Sequence, residues 1–291
     1  MLRYAVVTPA RDESATLPRL AASLAEQSVV PDAWVVVDDG STDGTGDVVE
    51  ELATVHPWIR LLPIPPSGRI ERGGKVVRAF QAGLAELDPP PDVVVKVDAD
   101  VTFPADYFAR LLDAFEQDAR LGMASGSACE LRNGVWEERH MTAGSLWGAA
   151  RAYRWECLEA VRPLEERMGW DGIDALKANL NGWDTRIVPG LLFQHHRVEG
   201  ERDGRRSLAW RAQGRAAHYM GYRFSYLVVR ALHYARREPA AVAMIAGYVG
   251  AVVRREQRCD DELVRQALRE RQRLRELPTR AFEALGRSPQ R

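Results

Sequence analysis

Along the first third of the chain, short apolar runs alternate with longer stretches whose apolar positions recur every three or four residues. Tyr4 to Thr8, Ala33 to Val37, Ile59 to Leu62 and Val93 to Val97 are brief and β-branched, and read as strands. Ala15 to Gln27, Thr45 to Thr54, Gly74 to Leu87 and Tyr107 to Phe115 carry helical spacing, with Asp, Ser or Thr near their starts to cap them. This alternation predicts an α/β fold, a mostly parallel sheet flanked by helices on both faces. Sheets of that kind bind ligands beyond the carboxyl ends of their strands, so the residues just after each strand carry the interest.

The pattern loosens after residue 120. Met123 to Leu131 reads as a strand, Ser145 to Val161 and Ile173 to Leu180 as helices, and Thr185 to Val188 and Leu191 to His195 as two short strands. From Ser207 onward the chain becomes helical, aromatic and rich in Arg. Glycines and dense charge at residues 199 to 206 predict a boundary between a domain of residues 1–200 and a helical C-terminal region of residues 201–291. The run from Ala240 to Val253 spans 14 residues, short of the roughly 20 needed to cross a bilayer. An interfacial segment is within its reach. Met1 to Val7 leads straight into the first strand, and no secretory signal is expected from it.

Charge sharpens the division. The net charge of -1 hides 20 Lys and Arg against 31 Asp and Glu in residues 1–200, a balance of -11, and 20 against 10 in residues 201–291, a balance of +10. An acidic body and a basic tail face different partners. At 46% hydrophobic and 28% charged, the composition excludes a disordered or collagen-like chain. Cys129, Cys157 and Cys259 are odd in number and match no metal-ligand spacing, which fits a reduced, cytoplasmic chain.

Carboxylates follow three of the four strands: Asp12 and Glu13 in Thr8-Pro9-Ala10-Arg11-Asp12-Glu13, Asp38, Asp39 and Asp43 in Asp38-Asp39-Gly40-Ser41-Thr42-Asp43-Gly44-Thr45, and Asp98 and Asp100 in Asp98-Ala99-Asp100. Singly, such residues build turns and cap helices. Gathered on one edge they repel one another unless something cationic sits among them. The Asp-x-Asp pair suits Mg²⁺ or Mn²⁺, whose remaining positions accept water and phosphate oxygens. A nucleotide-diphosphate donor is the natural ligand.

In order and spacing these motifs resemble the inverting family 2 glycosyltransferases of the GT-A fold, over roughly residues 4 to 197. The resemblance implies a nucleotide-diphosphate sugar donor, with Pro9, Arg11 and Glu13 lining the nucleotide pocket and Asp38 or Asp39 contacting the base. It assigns ribose and metal to Asp98 and Asp100, the second being the direct metal ligand, and Mn²⁺ or Mg²⁺ as cofactor. Arg72-Gly73-Gly74-Lys75 stands where the family places a Gly-rich turn near the diphosphate, and Lys75 is one of only three lysines, with Lys96 and Lys177. The general base comes from an acidic pair opening a helix that ends in Gly-aromatic. Counting back from Gly182-Trp183 places Asp171 on the Asp of that pair and Trp170 on the Glu. Asp171 is the expected base, and Asp174, on the same helix face, stays open as an alternative. In some relatives a His completes the metal site, which points to His195, with His196 the alternative.

In the tail, Trp210, Tyr219, Tyr222, Phe224, Tyr226 and Tyr234 are interleaved with Arg211, Arg215, Arg223 and Arg230, and Arg236, Arg237, Arg254 and Arg255 bracket the apolar run. This combination predicts a monotopic hairpin on the anionic cytoplasmic face of the inner membrane. The competing reading is a helical pair packed on the catalytic domain or on a second copy as a homo-oligomer. The arrangement matches no nucleic-acid module. Residues 256 to 291, with Leu263, Leu268, Leu274 and Pro278, read as a solvated helix or frayed tail. The expected function is metal-assisted, inverting sugar transfer to a lipid-linked or glycan acceptor. A sugar-nucleotide pyrophosphorylase would need a Gly-rich, Arg- and Lys-bearing loop right after the first strand, which Thr8 to Glu13 does not supply; a degenerate transferase acting as a scaffold is the third alternative. Processive synthesis is not expected, since the chain lacks a Gln-x-x-Arg-Trp motif.

Overall fold

The computed structural model describes residues 1–68, 73–132, 134–139, 145–197, 206–236 and 238–273. The first half alternates β1 (Tyr4–Ala10), α1 (Leu17–Ala25), β2 (Ala33–Asp38), α2 (Thr45–Val55), β3 (Ile59–Pro63), α3 (Gly74–Ala85), β4 (Val93–Val97), β5 (Val101–Thr102) and α4 (Tyr107–Gln117). Then come β6 (Leu121–Arg132), β7 (Val135–Glu138), β8 (Ala150–Arg154), α5 (Trp155–Val161), α6 (Trp170–Leu180) and β9 (Asp184–His195). The tail holds α7 (Arg206–Tyr219), α8 (Phe224–Ala235), a 3₁₀ turn at Pro239–Val242, α9 (Ala243–Val253) and α10 (Glu262–Arg271).

One sheet runs in the order β3-β2-β1-β4-β8-β6-β9-β5, with β7 hydrogen-bonded to β6. The four strands legible from the apolar runs are parallel neighbours. Their Val-rich sequences are buried on both faces: Val6, Trp34, Val36 and Val95 meet α1 and α4, while Val7, Val35, Val37 and Val94 meet α3. The second half is mixed, since β8 pairs antiparallel with both β4 and β6, and β6 runs parallel to β9.

Two sequence expectations are corrected here. The helix expected over Ser145 to Val161 is a strand, β8, followed by the shorter α5. Ala and Arg favour helix intrinsically, but the slot between β4 and β6 admits a narrow strand, with Ala150 and Ala152 on one core face and Arg151 and Tyr153 on the other. The two short strands before His195 are one, interrupted at Pro189-Gly190, where the register against β6 jumps from Ser125↔Ile187 to Ser127↔Leu192.

The tail is built on close helix contact. A Cβ placed on Gly214 of α7 would lie 1.9 Å from the Met244 carbonyl oxygen, and one on Gly247 of α9 2.1 Å from that of Arg211. Only glycine lets the two backbones approach so closely. Met220, the residue after α7, rests its side chain against the start of α6 at Gly169 and Gly172. Ile173 and Leu176 of α6 share a buried cluster with Tyr219, Met220, Cys259, Val264 and Leu268. Residues 256–273 are therefore not a frayed tail: α10 buries Val264 and Leu268 while Leu263 faces solvent. Leu274, Pro278, Arg72, Arg237, His140 and nearly all of the expected boundary at 199–206 lie outside the described residues. Among the described residues no helix is long and apolar enough to cross a membrane, and all three cysteines are free.

Candidate active site

Parallel register brings the carboxylate-bearing strand ends to one edge: Ala10 lies opposite Asp38, and Val7 opposite Lys96. Most of the acids after β1 and β2 hold the turns together. Asp12, at a positive φ of 54°, accepts the Thr42 amide at 2.8 Å, and Asp38 accepts the Ser41 amide and hydroxyl at 2.9 and 2.5 Å. Burial raises the Asp43 carboxyl, but hydrogen bonds from Thr45 and Ser14 together outweigh it and hold the carboxyl down to about 2. Asp39 is buried; its Oδ1 accepts the amide and hydroxyl of Ser67, each at 2.7 Å, and its Oδ2 lies 3.9 Å from Arg11. The Arg11 guanidinium also donates to the Asp39 carbonyl at 3.1 Å. Pro9 is half-buried in β1 opposite Val37.

Glu13, expected to line the nucleotide pocket, is buried. It is 4% exposed, its amide donates to Thr45 at 2.8 Å, and its carboxylate takes Thr16 and a two-pronged grip from Arg197. Arg197 reaches on to Asp100, with Nε 3.6 Å from Oδ2. His195 Nε2 stands 3.5 Å from the other oxygen of Asp100. Burial alone would raise the Asp100 carboxyl, but the hydrogen bond and charge of His195, with Arg197, keep it below the usual range. Burial likewise disfavours the His195 imidazolium, yet Asp100, with Asp98 and Glu130 behind it, raises its pKa above the ordinary value. Glu130, buried on β6 in register with His195, accepts from Arg132 at 3.2 Å and lies 3.3 Å from Arg139. His196 points elsewhere, to Thr102, Arg19 and the ring of Trp136.

The other member of the Asp pair is held differently. Lys96, 3% exposed, donates to Asp98 Oδ1 and, at 2.8 Å, to the Gly148 carbonyl. A carboxylate oxygen and an imidazole nitrogen 3.5 Å apart, Asp100 and His195, fit a divalent cation such as Mn²⁺. Asp98 gives one of its oxygens, Oδ1, to Lys96. No cluster of three or more potential metal-binding side chains occurs among the described residues, which leaves two protein donors and open positions for water or phosphate. The cationic partners that the crowded acids required are thus supplied in part by the chain itself, through Lys96 and Arg197. Sequence reasoning assigned neither a role, although strand parity signals both: Lys96 is two residues from Asp98, and Arg197 two from His195.

Asp171 is exposed in the first turn of α6, which opens at Gly169 with φ of 96°. A Cβ on Gly148 would lie 3.8 Å from Asp171 Oδ2, so Asp171 and Lys96 both meet this one residue. Trp170, in place of the expected Glu, is buried beneath the Arg151 guanidinium. Asp174 is buried against Arg151 at 2.6 Å, Tyr153 at 2.5 Å and its own neighbour's amide. Burial pushes its carboxyl up to about 6 against the pull of Arg151 and Tyr153. Asp174 is a core residue, closed to a substrate hydroxyl. At the start of α3, Gly73 adopts φ of 90°, and a Cβ there would lie 2.9 Å from the Met168 backbone. The N-terminus of α3 consequently lies against the loop that leads into α6, and Lys75, in its first turn, is half-buried.

Known proteins resemble the chain in sequence and in fold. The succinoglycan biosynthesis protein ExoA of Rhizobium meliloti is 33% identical over 109 residues, which is 37% of this chain and 31% of that protein. The undecaprenyl-phosphate mannosyltransferase of Micrococcus luteus is 32% identical over 176 residues, covering 55% of this chain and 70% of the relative. The chain thus spans less than a third of the first relative's length and more than two thirds of the second's. In fold it is similar to a mannosyltransferase of Pyrobaculum calidifontis solved in complex with GDP-Man and Mn²⁺, with a TM-score of 0.58 at 18% identity over 97% of this chain and 84% of that one. The model of glycosyl transferase family 2 matches residues 5–157, more than half of the chain, and takes in the parallel strands, the turn-forming acids and the Asp98-Ala99-Asp100 pair. The chain belongs to glycosyl transferase family 2.

Proposed function

We propose that the chain is an inverting glycosyltransferase that moves a sugar from a nucleotide-diphosphate donor to a lipid-linked or glycan acceptor at a membrane surface. The observation that carries this reading is the convergence of Asp100, His195 and the Lys96-held Asp98 on the edge that Asp171 approaches at Gly148. Arg11 and Asp39 border the nucleotide, Asp98 takes ribose hydroxyls, and the N-terminus of α3 with Lys75 takes the diphosphate. Asp100 and His195 would hold Mn²⁺ or Mg²⁺. The ion, when bound, offsets the charge developing on the departing diphosphate. Asp171 removes the proton of the acceptor hydroxyl as its oxygen attacks the anomeric carbon opposite the leaving group, which inverts the configuration. A lipid-linked acceptor follows from the likeness to an undecaprenyl-phosphate mannosyltransferase.

The tail supports the membrane part. Leu227 and Ala231 of α8, with Met244 and Tyr248 of α9, are buried between the helices, whereas Phe224, Leu232, Val242, Val249, Val252 and Val253 are exposed. Arg236, Arg254 and Arg255 flank that face. In this reading the buried side chains pack on the protein and the exposed apolar ones make a peripheral contact with anionic lipid.

Transfer assays across nucleotide sugars, with product configuration read by NMR, test the chemistry. The expected outcome is inverted product, dependent on divalent cation, absent in Asp100→Ala and reduced by about 10²- to 10⁴-fold in Asp171→Asn. A retained anomeric configuration, or full transfer by Asp171→Asn, refutes the mechanism.

A further inference from the structure

We infer that the cavity between the α7–α8 turn and α10 is a phosphate site, in which Arg258, Arg265 and Arg269 grip the headgroup phosphate of an anionic phospholipid while the apolar face of α8 and α9 meets its acyl chains. This deepens the membrane part of the proposed function and rests on that reading. The cavity measures about 160 Å³ and is lined by Gly221, Arg258, Glu262, Arg265, Gln266 and Arg269. A volume well under roughly 300 Å³ suits one phosphate group better than a whole sugar nucleotide.

Charge sets the sign of the ligand. Three arginines and one glutamate line the cavity, and Glu262 accepts from Gln266 at 3.3 Å rather than from an arginine. Among the described residues none of the three arginines has a carboxylate partner. The neighbouring acids are engaged elsewhere: Asp261 caps α10 at the Val264 amide, 3.0 Å away, and Asp260 accepts from Gln257 at 3.3 Å. Gathered guanidiniums repel one another unless an anion sits among them, and their forked donors match phosphate oxygens two at a time.

The arginines are also held from behind. Arg258 donates through Nε to Nε2 of His218 at 3.5 Å, and His218 is 3% exposed. Burial, with the Arg258 charge, lowers the pKa of the imidazole, so the ring accepts in its neutral form. Its Nδ1 is buried without a hydrogen-bond partner among the described residues, a cost that an apolar side chain in the same place would avoid. A Cβ on Gly221, at φ of 78°, would lie 3.1 Å from Arg265 Cγ, so the Arg265 stem lies close on the turn. Arg223 fastens that turn to the end of α10, its amide donating to Gln272 at 2.8 Å and its Nε to the Arg269 carbonyl at 2.7 Å. The cavity is continuous with the exposed apolar face. His218 meets the ring of Tyr248 at 5.5 Å between centroids, and Tyr248 meets Phe224, which is exposed, at 5.6 Å. Three successive contacts thus link Arg258 to an exposed apolar side chain, a span that one phospholipid covers.

The test is co-sedimentation of the full chain with vesicles of phosphatidylcholine alone and of phosphatidylcholine mixed with phosphatidylglycerol, with Tm measured alongside. The unaltered chain is expected to prefer the phosphatidylglycerol vesicles by at least about tenfold, and the combined variant Arg258→Gln, Arg265→Gln and Arg269→Gln to lose that preference. Replacing the same three by Lys keeps every charge but not the forks, and is expected to weaken binding at least about threefold. Should a triple variant melt early, Arg258→Gln with Arg269→Gln decides, since both side chains are exposed, and at least about a threefold loss is expected of it. Full binding by the Lys variant replaces the phosphate grip with charge alone. Unchanged binding by the Gln variants overturns the site and leaves the apolar face as the membrane contact. Binding of the unaltered chain to neither vesicle removes the membrane reading itself; a rise in Tm with inorganic phosphate would then assign the arginines to free phosphate in place of lipid.

Discussion

Arg151→Met is the sharpest test of how the site is held. The guanidinium and the Asp174 carboxylate are each 1% exposed and 2.6 Å apart, and Arg151 also donates to the carbonyls of Asp171 and Leu146. Removing one member of so buried a pair strands the other, which costs about 3–5 kcal/mol. In a chain of this size that corresponds to a fall in Tm of roughly 6 to 20 °C. The double variant Arg151→Met with Asp174→Leu removes both charges and is expected to recover most of the loss. The pH dependence has a definite sign. Asp174 already titrates at about 6, above its unfolded value, and without Arg151 its carboxyl moves higher still. A carboxyl raised in the folded state favours folding when protonated, so the deficit of Arg151→Met is larger at pH 8 than at pH 5.5: it shrinks as pH falls from the variant's raised pKa toward 6, below which both carboxyls are protonated and the deficit is constant. Urea unfolding followed by far-UV circular dichroism at pH 5.5, 7 and 8 measures all of this. A single variant within about 1 kcal/mol of the unaltered chain, or a deficit that grows on acidification, refutes the account.

Three further outcomes are expected. Gly247→Val meets the Arg211 carbonyl oxygen and should separate α7 from α9, read as rapid limited proteolysis within residues 206–253. Leu232→Glu combined with Val253→Glu should lower co-sedimentation with phosphatidylglycerol vesicles several-fold while leaving the melting temperature within about 2 °C, because both side chains are exposed; unchanged co-sedimentation would move the apolar face to a second copy of the chain, detectable as a dimer by light scattering. Arg197→Gln leaves buried Glu13 with a weaker partner and should cost about 1–3 kcal/mol of stability in the same urea assay.

The parallel half of the fold was legible because Val-rich strands and amphipathic helices obey their own periods, and the acids at the strand ends were placed on one edge by that alternation alone. The antiparallel insertion was not. Ala150 to Arg154 carries residues that favour helix, and only the slot between β4 and β6 makes it a strand. The site was half legible in the same way. Asp98, Asp100, Asp171 and His195 stand out as chemistry, but Glu13 and Asp38 look equally functional, and the structure ties both into hydrogen bonds within the protein. Nothing local separates a carboxylate that greets a ligand from one that meets Arg197, since that partner lies 184 positions away. Asp174 was indistinguishable from Asp171 by helix face, and its burial under Arg151 and Tyr153 is a property of the packed sheet.

The family match ends at residue 157, yet Asp171, His195 and Arg197 all follow it. Met220 presses on the turn that carries Asp171 at two positions, Gly169 and Gly172, that have no side chain to yield. A bulkier residue at 220 would therefore shift the carboxylate before it shifted the tail. Under the proposed mechanism the helices after residue 206 help set the position of the base, and exchanging them between relatives would retune transfer from outside the matched family region.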